Sequence, residues 1–197
     1  MKATSTRCRG FTLIELLVTI ALVAILMTLA APTFTTFQRN AELTSRMNTL
    51  LAVMNAARSE AMKRGTDTLV VPISGDWAQG MRVFVDKNNN YSYDTGTDIL
   101  VYETTDVLPN YLSYSHSTGS PTAAATPYIR FNSLGYPKPI SPDLRNFTFS
   151  LARNDTTGSE IYNQTRRLIV SITGRARICK PVSTADSTCA STSTASN

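Results

Sequence analysis

The sequence predicts an α+β protein: a long amino-terminal helix, half membrane-spanning and half amphipathic, packed on an antiparallel β-sheet globular domain. Three observations lead to this prediction. Residues 11–31 are apolar except for Glu15. Residues 47–61 place apolar side chains at helical spacing. After Thr66 the pattern changes to short β-rich runs separated by Gly, Pro, Asn and Asp.

The apolar segment 11–31 is long enough to cross a membrane. Its 21 residues would span roughly 31 Å as a helix, about the thickness of the hydrocarbon core. Residues 1–10 form a short leader whose cations are Lys2, Arg7 and Arg9. Cations on this short side predict a cytoplasmic amino terminus. Secretory signals are cut after their apolar core, whereas the only plausible processing point here precedes it, so the helix should remain in the mature chain.

A second helical pattern follows the apolar segment. Its apolar positions fall at i, i+3, i+4, i+7, i+10 and i+14, namely Met47, Leu50, Leu51, Met54, Ala57 and Ala61. Lys63, Arg64 and Gly65 form a helix stop. We therefore expect one helix over 11–64, with a kink at Pro32.

The β-rich region spans residues 65–181. The expected strands are Thr68–Ile73, Met81–Asp86, Ile99–Thr105, Tyr128–Asn132, Asn146–Ala152, Arg167–Thr173 and Arg175–Cys179. Residues 182–197 are rich in Ser, Thr and Ala, a composition that cannot bury a core, so they predict a flexible tail.

The charge and the cysteines limit the classes of function. Three cations lie in the leader, so the net charge of +5 falls to +2 in residues 11–197 and does not indicate a partner. Residues after the span face an oxidising compartment, where Cys179 and Cys189 should form a disulfide. Such a bridge stabilises by on the order of 3 kcal/mol. Metal binding by these cysteines is the weaker alternative, because no His or third Cys is near them.

No enzyme motif is present. The sole histidine, His116, lies in a polar stretch without a nucleophile or metal-ligand spacing, and no phosphate loop, dinucleotide glycine motif or zinc-protease helix occurs. We expect no catalytic activity and no cofactor.

An Asn-rich segment offers a weak calcium candidate. Asp86, Asn88, Asn90 and Asp94 stand at positions 1, 3, 5 and 9 of an EF-hand-like loop, but Tyr91 replaces its glycine and the twelfth position lacks Glu. The alternative interpretation is a hairpin turn without a metal.

Five cations and no acid lie between Ile161 and Pro181. Arg175 and Arg177 are one residue apart, so in an extended chain they would emerge on the same side. Paired guanidinium groups suit phosphate oxygens. The alternative is a solvated sheet edge, where charges oppose aggregation.

The amino terminus resembles the processing signal of type IV pilins and pseudopilins, through Gly10, Phe11 to Glu15 and the apolar run. The resemblance implies cleavage by a prepilin peptidase between Gly10 and Phe11 and methylation of Phe11. It also implies that Glu15 pairs with the amine of a neighbouring subunit during filament assembly. Thr12 and Glu15 also fit a capping box, which is compatible with that role.

Four further stretches resemble the GspH/FimT group of minor pilins: Trp77–Asp86, the Asn-rich segment that follows it, Phe131–Gly135 and Gly174–Pro181. The Gly-Arg-x-Arg element is similar to the DNA-binding motif of FimT-type pilins, which capture DNA in natural transformation. The resemblance implies that Arg175 and Arg177, flanked by Lys180, bind double-stranded DNA non-specifically. The charge pattern alone adds Arg166 and Arg167 as weaker candidates.

This resemblance also implies a location and partners. We expect a type IV pilin-like subunit that is held in the bacterial inner membrane and then joins other pilins in a periplasmic and cell-surface filament. The alternative is a structural minor pilin or a type II secretion pseudopilin that primes assembly without binding DNA.

Mass spectrometry of the mature chain tests the processing. The expected first residue is a methylated Phe11, because the leader ends at Gly10 and the helix must remain as the anchor. A mature product that begins beyond Ala31 would show that the apolar helix is discarded and would contradict the interpretation.

Overall fold

The computed structural model describes residues 10–116, 128–138, 147–156, 158, 160–183 and 186–190, with the side chains at 29–32 and 116 outside this description. The chain divides into two compact units, one up to Ala41 and one from Glu42 onward. Helix α1 (Leu13–Arg64) contributes its first part to the first unit and the remainder to the second.

In the first unit, α1 begins with the capping box that the sequence predicts. The backbone amide and the hydroxyl of Thr12 each donate to Glu15 Oε2 at 2.9 Å, and the Glu15 amide donates to Thr12 Oγ1 at 3.3 Å. The large apolar side chains that follow are exposed. Within the described residues, no single helix is long and apolar enough to cross a membrane alone; the stretches Leu13–Thr28 and Thr33–Arg64 meet these criteria only as a bent pair. The membrane-spanning segment 11–31 therefore stays a prediction.

The second unit contains nine described strands and a short helix. The strands are β1 (Thr68–Ile73), β2 (Asp76–Val85), β3 (Ile99–Thr104), β4 (Leu112–His116), β5 (Ile129–Phe131), β6 (Pro137–Lys138), β7 (Phe147–Arg153), β8 (Thr165–Val170) and β9 (Ala176–Cys179), and helix α2 (Glu160–Asn163) precedes β8. All strand pairs are antiparallel. The first sheet has the order β3-β2-β1-β5-β6 and the second the order β4-β7-β8-β9.

The core of the second unit lies between the later part of α1 and both sheets. The predicted helical stripe is confirmed: Leu51 is half-buried, and the other five members are buried. Val70, Val83 and Phe131 of the first sheet belong to the same cluster, as do Phe149 and Leu168 of the second. The rings of Trp77 and Phe149 join the sheets edge to face, with centroids 4.9 Å apart. The α+β prediction is therefore correct.

Several strand predictions need correction. The β domain contains two sheets rather than one, and β4 and β6 were not predicted from the sequence. Strand β2 begins at Asp76 rather than Met81. Strand β8 ends at Val170 rather than Thr173, because the Ser171 amide donates to the Arg175 carbonyl at 3.0 Å and turns the chain there.

Truncation of Leu50 tests the packing of the helix on the domain. Leu50 is fully buried, so Leu50→Ala should lower the free energy of unfolding by about 2–5 kcal/mol through lost burial and a cavity. Urea unfolding followed by circular dichroism measures the change. Asn55→Ala, at an exposed position of the same helix, is the control and should change stability by less than about 0.5 kcal/mol. Equal losses in the two variants would contradict the packing.

Candidate nucleic-acid interface

The β8–β9 hairpin presents the Gly-Arg-Ala-Arg element. Val170 pairs with Ala176, and the Gly174 amide donates to the Ser171 carbonyl at 2.8 Å to close the loop. Ala176 packs against the core. Because side chains alternate along a strand, Arg175 and Arg177, on either side of Ala176, project away from the core.

A second turn fixes this loop in place. Gly174 has φ +79°, and a Cβ added to it would lie 2.1 Å from the Gly135 carbonyl oxygen, so the two backbones are in close contact. Arg58 of α1 joins both turns: its Nε donates to the Gly135 carbonyl at 3.0 Å and its Nη2 to the Thr173 carbonyl at 3.1 Å. The helix therefore sets the position of the hairpin. No sequence pattern indicated this role of Arg58, which lies just beyond the apolar position Ala57.

Arg175 and Lys180 are the cations of the element that are available to a ligand. Both side chains are exposed. Neither makes a hydrogen bond or ion pair within the part of the chain that the structure describes. Both can therefore receive phosphate oxygens without breaking an internal contact.

Arg177 and Arg167 are engaged with the tail segment, which we define as residues 186–190. Arg177 is half-buried, and its Nη2 donates to the Thr188 carbonyl at 2.5 Å. Arg167 Nη1 donates to the Cys189 carbonyl. Burial lowers the pKa of Arg167, and the charge of Asp186 opposes this shift.

Arg166 contacts its own stretch of chain. Its Nη1 donates to the Asn163 carbonyl at 3.0 Å and to the Thr165 carbonyl at 2.9 Å. Burial lowers the pKa of this side chain. The five cations that the sequence groups together thus differ in environment: among the described residues the side chains of two make no hydrogen bond or ion pair, and three donate to backbone carbonyls.

The predicted disulfide joins Cys179 to Cys189, with an S–S distance of 1.99 Å and a Cα–Cα distance of 5.8 Å. Asp186 adds hydrogen bonds from the amides of Val182, Thr188 and Cys189 at 3.0–3.1 Å. These contacts hold the first part of the predicted tail on the domain. Residues 191–197, also predicted to be flexible, lie outside the described residues.

Several polar groups of the Asn-rich segment are hydrogen-bonded within it, whereas the buried Asp86 Oδ1 has no hydrogen-bond partner among the described residues. Asp86 is buried, and its Oδ2 accepts from the Tyr91 amide at 3.0 Å. Asp94 Oδ2 accepts from the side-chain amides of Asn88 at 2.9 Å and Asn90 at 2.6 Å. Within the described residues, no group of three or more His, Cys, Asp or Glu side chains could hold a metal ion. The turn and the calcium site therefore both stay predictions.

Phe11 and Glu15, the predicted processing and assembly residues, lie together in the first unit. Together with Ile14, Val18 and Thr19 they line a shallow apolar hollow beside the capped helix end. Phe11 is 84% exposed. The Glu15 carboxylate accepts a hydrogen bond from the Thr12 amide at the start of the helix. This cap is compatible with a further polar contact of the same carboxylate.

Comparison with known proteins supports the pilin-like interpretation. A family model described as type II transport protein GspH matches residues 46–174, which is more than half of the chain, and the prokaryotic N-terminal methylation motif matches residues 5–31. A comparison with curated protein sequences finds no match.

Solved structures with a similar fold include the type IV minor pilin FimU of Pseudomonas aeruginosa PAO1. In its P21 crystal form the identity is 20%, the TM-score is 0.53, and the alignment covers 74% of this chain and 93% of FimU. In the P65 form these values are 19%, 0.50, 71% and 94%. The minor pseudopilin EpsH from the type 2 secretion system of Vibrio cholerae aligns at 16% identity, with a TM-score of 0.46, over 72% of this chain and 99% of EpsH. The likeness to FimU shows a shared fold.

Substitution of Gly174 tests the contact between the two turns. A side chain at positive φ costs roughly 1–2 kcal/mol, and in Gly174→Ala the new Cβ would also collide with the Gly135 carbonyl. Gly65→Ala is the control, because Gly65 has φ +66° and its added Cβ meets no atom within 4 Å. Thermal unfolding should show a larger loss for Gly174→Ala than for Gly65→Ala. Equal losses would contradict the close contact.

Proposed function

Because the chain belongs to the GspH family of minor type IV pilins and pseudopilins, we propose that it is a filament subunit that binds extracellular double-stranded DNA non-specifically for uptake in natural transformation. The observation that supports the proposal most strongly is the pair of free, exposed cations, Arg175 and Lys180, beside an arginine hairpin that the domain holds rigidly. DNA presents a regular array of phosphates that such cations can neutralise.

The chemistry of these residues predicts the mode of binding. Guanidinium and ammonium groups contact phosphate oxygens and thereby position a protein on DNA, but phosphate contacts do not distinguish sequences. The sequence resembles no helix-turn-helix or other base-reading module. Binding should therefore be weak, tolerant of sequence and sensitive to salt. In this proposal Arg175 and Lys180 make the first contacts, and Arg177, Arg166 and Arg167 contribute less.

The amino-terminal segment extends the proposal to the processing and location of the protein in the cell. We propose that a prepilin peptidase cuts after Gly10, that Phe11 is methylated, and that residues 11–31 anchor the chain in the inner membrane with the amino terminus in the cytoplasm. Glu15 then pairs with the amine of a neighbouring pilin as the helix enters the filament. The methylation motif at residues 5–31 supports this sequence of events.

A second candidate function is structural. In the alternative, the subunit primes assembly of a pilus or a type II secretion filament and does not bind DNA. The engagement of Arg166, Arg167 and Arg177 by backbone carbonyls favours this candidate, because it leaves fewer cations for phosphate. The two functions share the helix and the fold, so only a binding experiment separates them.

A gel-shift assay tests the DNA-binding function. The full chain in nonionic detergent should retard double-stranded DNA at low salt, and Arg175→Gln combined with Lys180→Gln should abolish the shift because the domain loses the two exposed cations that make the first phosphate contacts. The logarithm of the binding constant should fall with the logarithm of salt concentration by about 0.9 per phosphate neutralised.

The matched control is Lys87→Gln combined with Lys138→Gln, which removes the same charge from exposed positions elsewhere in the domain. This control should keep the gel shift. Loss of binding in both double variants would show that net charge, and not the position of the cations, accounts for DNA binding. An absence of binding by the unmodified chain at low salt would favour the structural candidate. Circular dichroism confirms folding of each variant.

A further inference from the structure

We propose that the tail segment is an internal ligand of Arg167 and Arg177, and that its displacement opens a second cationic surface for DNA phosphate on the outer face of the second sheet. The inference rests on the proposed DNA-binding function and concerns the regulation of that site. In the closed arrangement, with the tail segment in place, Arg175 and Lys180 are available to DNA phosphate. In the open arrangement, with the tail segment displaced, Arg167 and Arg177 are available as well.

Strand register places the two engaged arginines on one face. Arg167 is directly opposite Cys179, and Ile169 is directly opposite Arg177. Directly opposed residues share a face of a sheet, and residues two apart along a strand also share one. Arg167, Arg177 and Cys179 therefore lie together on the face away from the core, which is the face that the disulfide joins to the tail segment.

The tail segment covers part of this face. Ile169 points away from the core cluster, yet it is only 1% exposed, and Cys189 is also 1% exposed. The disulfide attaches Cys189 directly beside Arg167 through Cys179. Burial on the side of the sheet opposite to the core requires a cover, and the tail segment is a described element bonded there.

The backbone amides and the backbone carbonyls of the tail segment have different hydrogen-bond partners. The amides of Thr188 and Cys189 donate to Asp186 Oδ1 at 3.0 and 3.1 Å. The carbonyls of the same two residues accept from Arg177 and Arg167. Asp186 thus fixes the peptide groups in the orientation that directs their oxygens at the guanidinium groups.

This arrangement reproduces features of a bound phosphate. The guanidinium groups receive oxygen acceptors from the segment, and Asp186 brings a negative charge close enough to act on Arg167. Phosphate oxygens are stronger acceptors for guanidinium than neutral carbonyls, because both partners are charged. DNA can therefore compete with the segment once the first contacts at Arg175 and Lys180 hold it nearby.

The salt dependence of DNA binding tests this inference, because its slope counts phosphate contacts. Two contacts predict a slope of about −1.8, and four predict about −3.6. Fluorescence anisotropy of a labelled DNA duplex, titrated with the full chain in nonionic detergent, measures the slope. The slope for the unmodified chain should lie nearer to about −1.8. The slope for a variant with a released tail segment should lie nearer to about −3.6, and this variant should bind DNA more tightly at low salt.

Two variants release the segment by different routes. Asp186→Asn weakens the bonds that orient the peptide groups but keeps the disulfide, and Cys179→Ser combined with Cys189→Ser removes the tether. Asp76→Asn is the control, since it removes the same charge at an exposed residue outside the segment. Adding Arg167→Gln and Arg177→Gln should remove the gain from either releasing variant.

The outcomes separate the inference from the function. A steeper slope in a releasing variant but not in Asp76→Asn supports the inference. Unchanged slope and affinity in Asp186→Asn, with folding intact by circular dichroism, overturn the inference and leave the DNA-binding function standing. If no variant binds DNA at low salt, the proposed function and the inference both fail.

Discussion

The arrangement of the second unit depends on the burial of one face of α1 against two sheets. Leu50, Met54 and Ala57 are buried in a cluster that also contains side chains from both sheets. This burial fixes the rotation of the helix about its axis and therefore fixes Arg58, whose guanidinium group bonds the Gly135 and Thr173 carbonyls. The position of the arginine hairpin thus follows from apolar packing and one side chain with two acceptors.

The cations near the hairpin have different roles because their surroundings differ. A guanidinium group that already donates to backbone carbonyls must exchange those bonds for bonds to phosphate, whereas a solvated one does not. Arg175 and Lys180 are solvated, and Arg177 and Arg167 are held by the tail segment. A count of basic residues in the sequence therefore overestimates the phosphate contacts that the closed domain offers.

Much of the fold could be predicted from local patterns, and the missing parts are those that depend on distant residues. The 3.6-residue period identified the helix, and a pair of cysteines in an oxidising compartment identified the disulfide. Strand β4 was missed although Leu112 and Tyr114 alternate with Ser113 and Ser115, because the serines gave it the composition of a loop. The division into two sheets leaves no local signal, since strand order depends on pairing between residues far apart in the chain.

The sequence nominates the residues of the candidate site but indicates none of their contacts. The spacing of Arg175 and Arg177 indicated that both would lie on one side, which the hairpin allows. The bond from Arg58 to the hairpin crosses 115 residues of chain, and the cover over Arg177 comes from a segment whose composition predicts flexibility. A disulfide and the hydrogen bonds of the tail segment override that composition, because they supply the free energy that apolar burial does not.

The most direct test of the account is a map of the DNA contact by two-dimensional NMR of the isotopically labelled chain during titration with a short duplex. The account predicts that the largest amide shifts fall at residues 174–176 and at Lys180, with residues 86–94 little changed. Shifts concentrated in residues 86–94, with the hairpin unperturbed, would contradict it.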